Sequence, residues 1–187
     1  MNKAGGGPAV VCYPCGRDAP GLPVLMSDIV IRKASAADLP AITALWYEMM
    51  NYHLARDRRF AITHDASTIF SNWVKGLMED PEQAYLALAE EKNSVIGYIL
   101  GQIEQLPPVY SIRTVGVIRD LSVLQGARHH GVGTQMFQHS LGWFKNRGVG
   151  AIWVRIPTEN KAAHKVWETN GLTPFTTVMR MEFDQQS

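Results

Sequence analysis

Cysteine is almost missing from this sequence. Its two copies, Cys12 and Cys15, sit together near the start of 187 residues, which excludes a disulfide scaffold and fits a reducing, cytoplasmic setting. Long apolar runs are missing too. None approaches the roughly 20 residues needed to span a bilayer, so the chain reads as soluble, with no membrane partner. Excess charge of either sign is a third absence. Eighteen Lys and Arg against 17 Asp and Glu leave a formal net charge of +1, and such a balance creates no bulk field to recruit nucleic acid or an anionic surface. Metal-ligand spacing is a fourth. The single Cys12-x-x-Cys15 has no second cysteine pair to complete a zinc site, and the six histidines are scattered, so no metal is expected.

Apolar residues, by contrast, make up 46% of the chain, enough for one domain with a sizeable core and short for two. The first 26 residues differ in texture from the remainder: Gly5-Gly6-Gly7-Pro8, Pro14, Pro20, Gly21 and Pro23 interrupt any periodicity. Residues 1–26 are therefore expected to be a flexible extension, without the sustained apolar region of a signal peptide. Residues 27–187 are expected to be a single domain. On that reading, removing residues 1–25 leaves stability and activity unchanged.

The β-branched run Ile29 to Ile31 reads as a strand, and Ser35-Ala36-Ala37-Asp38 resembles a capping box that opens a helix. Leu39, Ile42, Leu45, Trp46 and Met49 then recur at helical spacing. A second helical stripe comes next at Ile69, Phe70, Trp73, Val74 and Leu77, closed by Asp80-Pro81. Tyr85 to Glu90 and Val95 to Gln105 form a hairpin by their polar turn, and Thr114 to Leu124 is a long apolar strand. After a glycine turn, Val132, Met136, Phe137, Leu141 and Phe144 form a third stripe. Ala151 to Ile156 is another strand, Asn160 caps a last helix running through Trp167 to a stop at Gly171, and Thr177 to Phe183 alternates like a final strand. This order implies an α/β fold: a mixed, mostly antiparallel sheet with a parallel strand pair and helices on both faces.

Chemistry concentrates at Arg128-His129-His130-Gly131-Val132-Gly133-Thr134, where strand gives way to helix. The first N–H groups of a helix lack intrahelical partners and carry partial positive charge, so they suit an anion. Gly131 and Gly133 let a ligand approach the backbone, and Arg128 offers a guanidinium fork for phosphate. A plain tight turn explains the glycines equally well at this point. No Gly-Lys-Ser/Thr comes after it, so the turn is not a Walker loop, and Met136 takes the place of the third glycine of a dinucleotide fingerprint.

The arrangement Arg128-x-x-Gly131-x-Gly133, preceded by Asp120-Leu121-Ser122-Val123 and followed by Asn160-x-x-Ala163-x-x-x-Trp167-x-x-x-Gly171-Leu172, resembles the GCN5-related N-acetyltransferase (GNAT) superfamily. The resemblance covers about Ile29 to Phe183. It implies a GNAT-like fold with a splayed parallel strand pair and an acetyl-CoA cofactor. The cofactor's pyrophosphate would lie on the amides of His130, Gly131, Val132, Gly133 and Thr134 beside Arg128 and His129. Its pantetheine arm would run along Leu121, Ser122 and Val123, near Asn160, Ala163 and Trp167. The implied activity is direct transfer of an acetyl group to a primary amine, on a small molecule or a peptide, by a monomer or homodimer. A non-catalytic acyl-CoA sensor is the alternative.

Trp167 departs from the family, which usually places there a tyrosine that protonates the departing thiolate. Indole has no usable acidity, although its N–H can still donate a hydrogen bond to sulfur. Packing is the plainer role for Trp167. Asp120, a carboxylate inside an apolar strand, is the candidate base, with a structural ion pair as the competing explanation, and Glu104 is held in reserve. Glu48, Tyr52, Asp57 and Phe60 lie in the segment that resembles the family's acceptor mouth; the two carboxylates would attract a cationic amine and the two rings would wall the entrance.

Overall fold

The hairpin legible in the sequence forms at the centre of the sheet. Lys92 and Asn93 take positive φ values of 50° and 64°, the geometry of a two-residue turn whose twist matches that of the strands it joins. The computed structural model describes residues 11–12 and 29–183. Most of the expected flexible extension lies outside the described residues.

In chain order the elements are β1 (Val11–Cys12), β2 (Val30–Lys33), α1 (Leu39–Leu54), α2 (Ala66–Met78), β3 (Ala84–Glu91), β4 (Ser94–Gln105), β5 (Thr114–Val123), α3 (Val132–Lys145), β6 (Ala151–Val154) and α4 (Lys161–Thr169). Strands β2 to β5 pair antiparallel in sequence, and both β6 and β1 lie parallel to β5 on its far edge. The expected mixed sheet is present, and no described helix is long and apolar enough to cross a membrane.

Both faces of the sheet are covered, so its central strands are buried on both sides rather than alternately. Leu86, Leu88, Tyr98 and Leu100 pack with α1 and α2, whereas Tyr85, Ala87, Ala89, Ile99 and Ile118 pack with α3 and α4. Helix α1 is entered as expected: the Ser35 amide donates to Asp38 Oδ2 at 2.8 Å, while the Asp38 amide donates to the Ser35 carbonyl at 3.0 Å. Arg32 ties this corner to the sheet by donating to Asp38 and Glu90 at 2.6–2.9 Å.

Two expectations about the elements are corrected. Ile69 is exposed rather than part of the buried stripe of α2, whose buried residues are Ala66, Phe70 and Val74. Thr177 to Phe183 forms no strand, because no described strand lies beside it to complete a ladder. A third finding bears on the N-terminal extension: Val11 and Cys12 pair with Asp120 and Leu121 of β5, so this part of it joins the sheet.

Close approach between β5 and α3 depends on Gly116. A Cβ placed there would meet the Phe144 ring at 2.6 Å and Ile152 Cδ1 at 2.7 Å. Overpacking of this kind costs about 1–3 kcal/mol. Gly116→Ala is therefore expected to lower the melting temperature by several degrees, with Phe144→Leu in the same chain recovering part of the loss; equal melting of Gly116→Ala and the parent chain would contradict the packing described.

Candidate active site

Strand β5 changes partners where its polar residues begin. Its pairing with β6 runs from Val115–Ala151 to Ile118–Val154 and stops. On the other edge, Leu100 opposes Asp120 while Gly101 opposes Ile118, so Arg119 is a bulge residue with no opposite number. A bulge of this kind re-aims neighbouring side chains and strengthens the local twist. Past Ile118 this edge of β5 is no longer bonded to β6, and the short β1 pairs there with Asp120 and Leu121, so the wedge between β5 and β6 beside Asp120 holds Val11 and Cys12.

Asp120 is 4% exposed. Burial pushes its carboxyl up to about 7, against the opposing influence of the Tyr98 hydroxyl and the Arg119 guanidinium. Arg119 itself is buried and held: its Nε donates to Gln102 Oε1 at 2.8 Å, and Nη2 contacts Glu104 Oε1. Glu104, the reserve candidate, is thus engaged in an ion pair on the neighbouring strand. Arg119, Gln102 and Tyr98 did not stand out in the sequence; the adjacency of Arg119 to Asp120 within an apolar strand was the available signal.

The glycine turn closes the open end of β5. Gly131, at φ 75°, is the N-cap of α3, and His129 shares the left-handed region at φ 71°. A Cβ at Gly131 would meet nothing within 4 Å, whereas one at Gly133 would come within 3.1 Å of Leu121. Gly131 therefore serves backbone geometry beside open space, and Gly133 lets α3 sit on β5. The Gln135 amide bonds back to the Gly131 carbonyl at 3.0 Å. The amides of Val132, Gly133 and Thr134 precede that bond, at the positive end of the helix dipole. His129, His130 and Thr134 are exposed.

Arg128 has a further role. Its Nε donates to the Val123 carbonyl at 2.8 Å and its Nη2 to Glu48 Oε1 at 2.9 Å. The turn is thereby fastened both to the end of β5 and to α1. Glu48, expected to attract an amine, is Arg128's partner in this bridge.

Helix α4 brings the second half of the motif against the same wedge. Asn160 is buried, and its Oδ1 accepts from the Ala163 amide at 3.1 Å, the capping bond expected of it. Ala163 and Trp167 pack in one cluster with Leu121, Val123, Val132 and Phe137. The Trp167 ring stands edge-on to Phe137 at 5.0 Å. It is 2% exposed, and its Nε1 donates to no atom among the described residues. A buried N–H without an acceptor is costly, which makes the indole a donor in want of a partner.

The remaining mouth residues lie in the last turn of α1 and just past it. The Asp57 carboxylate holds Arg59 at 2.6–2.9 Å and accepts from the Arg59 amide at 3.0 Å. Tyr52 carries the Arg56 guanidinium 3.4 Å over its ring, and Phe60 packs beside His53 at 5.3 Å. His53, absent from the expected site, is buried, and desolvation together with nearby Arg56 lowers it to about 4. Tyr52 and Phe60 are partly buried and pack against the core. Both expected amine-attracting carboxylates, Glu48 and Asp57, are paired with arginines instead.

The Asp120 shift has a sign for stability. The folded carboxyl keeps its proton up to about pH 7, whereas an unfolded aspartate releases it near 3.9. The native chain binds more protons in that window, so stability associated with Asp120 is full below about pH 4 and is lost as pH rises toward 7. Asp120→Asn is expected to shrink the drop in melting temperature between pH 5 and pH 8 by several degrees; an unaltered drop in thermal melts would refute the burial of an ionisable group here.

Comparison with known proteins bears on the fold and the family. The family model described as "Acetyltransferase (GNAT) family" matches residues 46–172. No curated protein sequence matches. Among solved structures, a tetramutant of the BH1408 protein from Bacillus halodurans is 20% identical with a TM-score of 0.71, covering 82% of this chain and 99% of its own. The aminoglycoside antibiotic 6'-N-acetyltransferase from Acinetobacter haemolyticus is 17% identical with a TM-score of 0.66, covering 84% and 99%. A predicted acetyltransferase with acetyl-CoA from Clostridium acetobutylicum is 16% identical with a TM-score of 0.66, covering 82% and 96%. These structures share the fold, and the family model spans more than half of the sequence: the chain belongs to the GNAT acetyltransferase family.

Proposed function

We propose that this protein transfers an acetyl group from acetyl-CoA to a primary amine by direct attack within a ternary complex. The observation that carries the reading is a coincidence on β5: the strand parts from β6 at Ile118, places a buried carboxyl at Asp120, and runs out at Val123 beside a helix N-terminus prepared for an anion. The solved Clostridium acetobutylicum relative with acetyl-CoA and the aminoglycoside 6'-N-acetyltransferase supply the donor and the acceptor class by analogy.

The residues present fit the donor. The amides of Val132, Gly133 and Thr134 would receive the pyrophosphate, with open space over Gly131 for its approach. Leu121, Ser122 and Val123 would flank the arm, with Ala163 and the capped end of α4 opposite. Trp167 Nε1, lacking an acceptor among the described residues, would donate a hydrogen bond to the thioester sulfur. Acetyl-CoA brings the activated acyl group, and the chain's own groups do the rest. A primary amine attacks only when neutral. Asp120, ionised above about pH 7, takes the proton from the ammonium, directly or through one water. With no acid at Trp167, the CoA sulfur would depart as thiolate, a route only about 2 kcal/mol above the protonated product at neutral pH given a thiol pKa near 8.5, and the second N–H proton lost as the amide forms would pass to solvent water.

Three outcomes test this. Purified protein with acetyl-CoA and a panel of amino acids, polyamines, aminoglycosides and peptides is expected to release thiol with at least one amine, its kcat/KM rising along a limb centred near pH 7. Binding of acetyl-CoA without release across the panel would favour the sensor reading, for which the lost tyrosine at Trp167 is the supporting observation. Gly131→Leu is expected to weaken acetyl-CoA binding at least tenfold with the circular dichroism spectrum retained; unchanged affinity would remove the turn from the site. Finally, Val11 and Cys12 occupy the edge of β5 that the pantetheine arm would use. Deleting residues 1–26 is accordingly expected to tighten acetyl-CoA binding several-fold by calorimetry, in place of the neutral outcome anticipated from composition, and unaltered affinity would mean that the two do not compete.

A further inference from the structure

Strand β2 leaves its partner early. Its ladder with β3 covers Ala87 to Glu90, one further bond runs from the Ala34 amide to the Leu86 carbonyl at 3.0 Å, and the chain then turns at Ser35 toward α1. Ala84 and Tyr85, the first residues of β3, therefore have no β2 residue beside them. Helix α2 ends at Met78, and its last turn borders the space that β2 has vacated. A cleft of about 320 Å³ remains between these elements. That volume lies at the small end of the roughly 300–1,000 Å³ of ligand sites, which suits a small molecule and excludes a folded partner.

The floor of the cleft is apolar and its rim is charged. Leu77, Met78, Ala84 and Leu86 supply the floor, the last two of them buried. Lys33, at the end of β2, and Lys75, in the last turn of α2, stand exposed on the rim. Neither makes an ion pair among the described residues. The nearby carboxylates that could neutralise Lys33 are already taken, since Asp38 and Glu90 both hold Arg32. Glu79 is the one acidic residue lining the cleft, and it forms no ion pair with Lys75 four positions before it. Two cations thus face one anion above an apolar surface, the composition of a site that orients a small amphipathic ligand by its charged end. The helix dipoles sharpen the polarity. Ser35 and Ala36 line the wall where a helical run begins, the positive end, whereas Glu79 caps the negative end of α2.

We propose that this cleft binds a small molecule bearing a carboxylate on a short apolar body. The carboxylate lies at Lys33 and Lys75 on the side of Ser35 and Ala36, and the body rests on Leu77, Met78 and Leu86. Two sources share this chemistry, a short fatty acid and an apolar amino acid; the amino acid would turn its ammonium toward Glu79. The cleft is separate from the acyl-CoA site proposed above, because β2 forms one edge of the sheet and β5 lies beyond β3 and β4.

Titration of the full chain, labelled with nitrogen-15, by hexanoate, norleucine, hexanol and hexylamine tests this by amide chemical shifts. Hexanoate or norleucine is expected to give saturable shifts centred on residues 33–36, 75–79 and 84–86, with hexanol at least tenfold weaker. Tighter binding of norleucine than of hexanoate identifies the amino acid as the source, and the reverse order identifies the fatty acid. Lys33→Glu with Lys75→Glu, at two exposed positions, is expected to weaken the carboxylate at least tenfold with hexanol binding and circular dichroism retained. Absence of saturable shifts from either carboxylate up to about 10 mM would overturn the proposal. Hexanol or hexylamine binding as tightly as the carboxylates, or carboxylate affinity that ignores the lysine reversal, would overturn it equally.

Discussion

The end of pairing between β5 and β6 is the constraint on which the rest of the site depends. While the two strands are bonded, from Val115 to Ile118, β5 is an ordinary buried strand. One residue later the bulge at Arg119 shifts the register against β4, and the edge that β6 has left is taken by Val11 and Cys12. Without that parting there would be no wedge, and Asp120 would be a buried carboxyl facing nothing reactive. A carboxyl in such a place is kept neutral by desolvation or ionised by a partner; here the balance falls near neutrality, with burial opposed by Tyr98 and Arg119.

Two features of the surroundings hold this geometry rigid. Arg128 binds the end of β5 and Glu48 of α1 at once, so the glycine turn is anchored to both the sheet and the first helix. Arg119 does the same on the other side of Asp120, bridging to Gln102 and Glu104 of β4. In each case a guanidinium with several fixed donors converts a turn or bulge into a stiff corner. The donor amides and the candidate base are therefore positioned by separate arginines, one within β5 and one just past its end, and a ligand spanning them would need Val11 and Cys12 to leave the edge of β5.

The helices, the central hairpin and the motif positions were legible because their signals are local. Periodicity at Leu39, Ile42, Leu45, Trp46 and Met49, a polar hairpin turn at Lys92 and Asn93, and a cap at Asn160 each require only near neighbours in sequence, and each is realised. The pairing of Glu48 with Arg128 was not legible, since it joins residues 80 positions apart. Nor was that of Arg119 with Glu104, because only the bulge turns them together. The strand expected at Thr177 to Phe183 failed for the complementary reason: alternation states what a segment would do beside a partner, and none of the described residues provides one. Val11 and Cys12 reverse the case, as a glycine- and proline-rich context hid two residues that find an open edge.

The central claim is that the β5 wedge and the glycine turn are one acyl-CoA site. Hydrogen–deuterium exchange of the full chain with and without saturating acetyl-CoA measures this at the backbone. Slowed exchange is expected to concentrate in residues 120–124 and 130–135, with ATP at the same concentration leaving those segments unchanged. Protection that falls elsewhere, or that ATP reproduces, would contradict it.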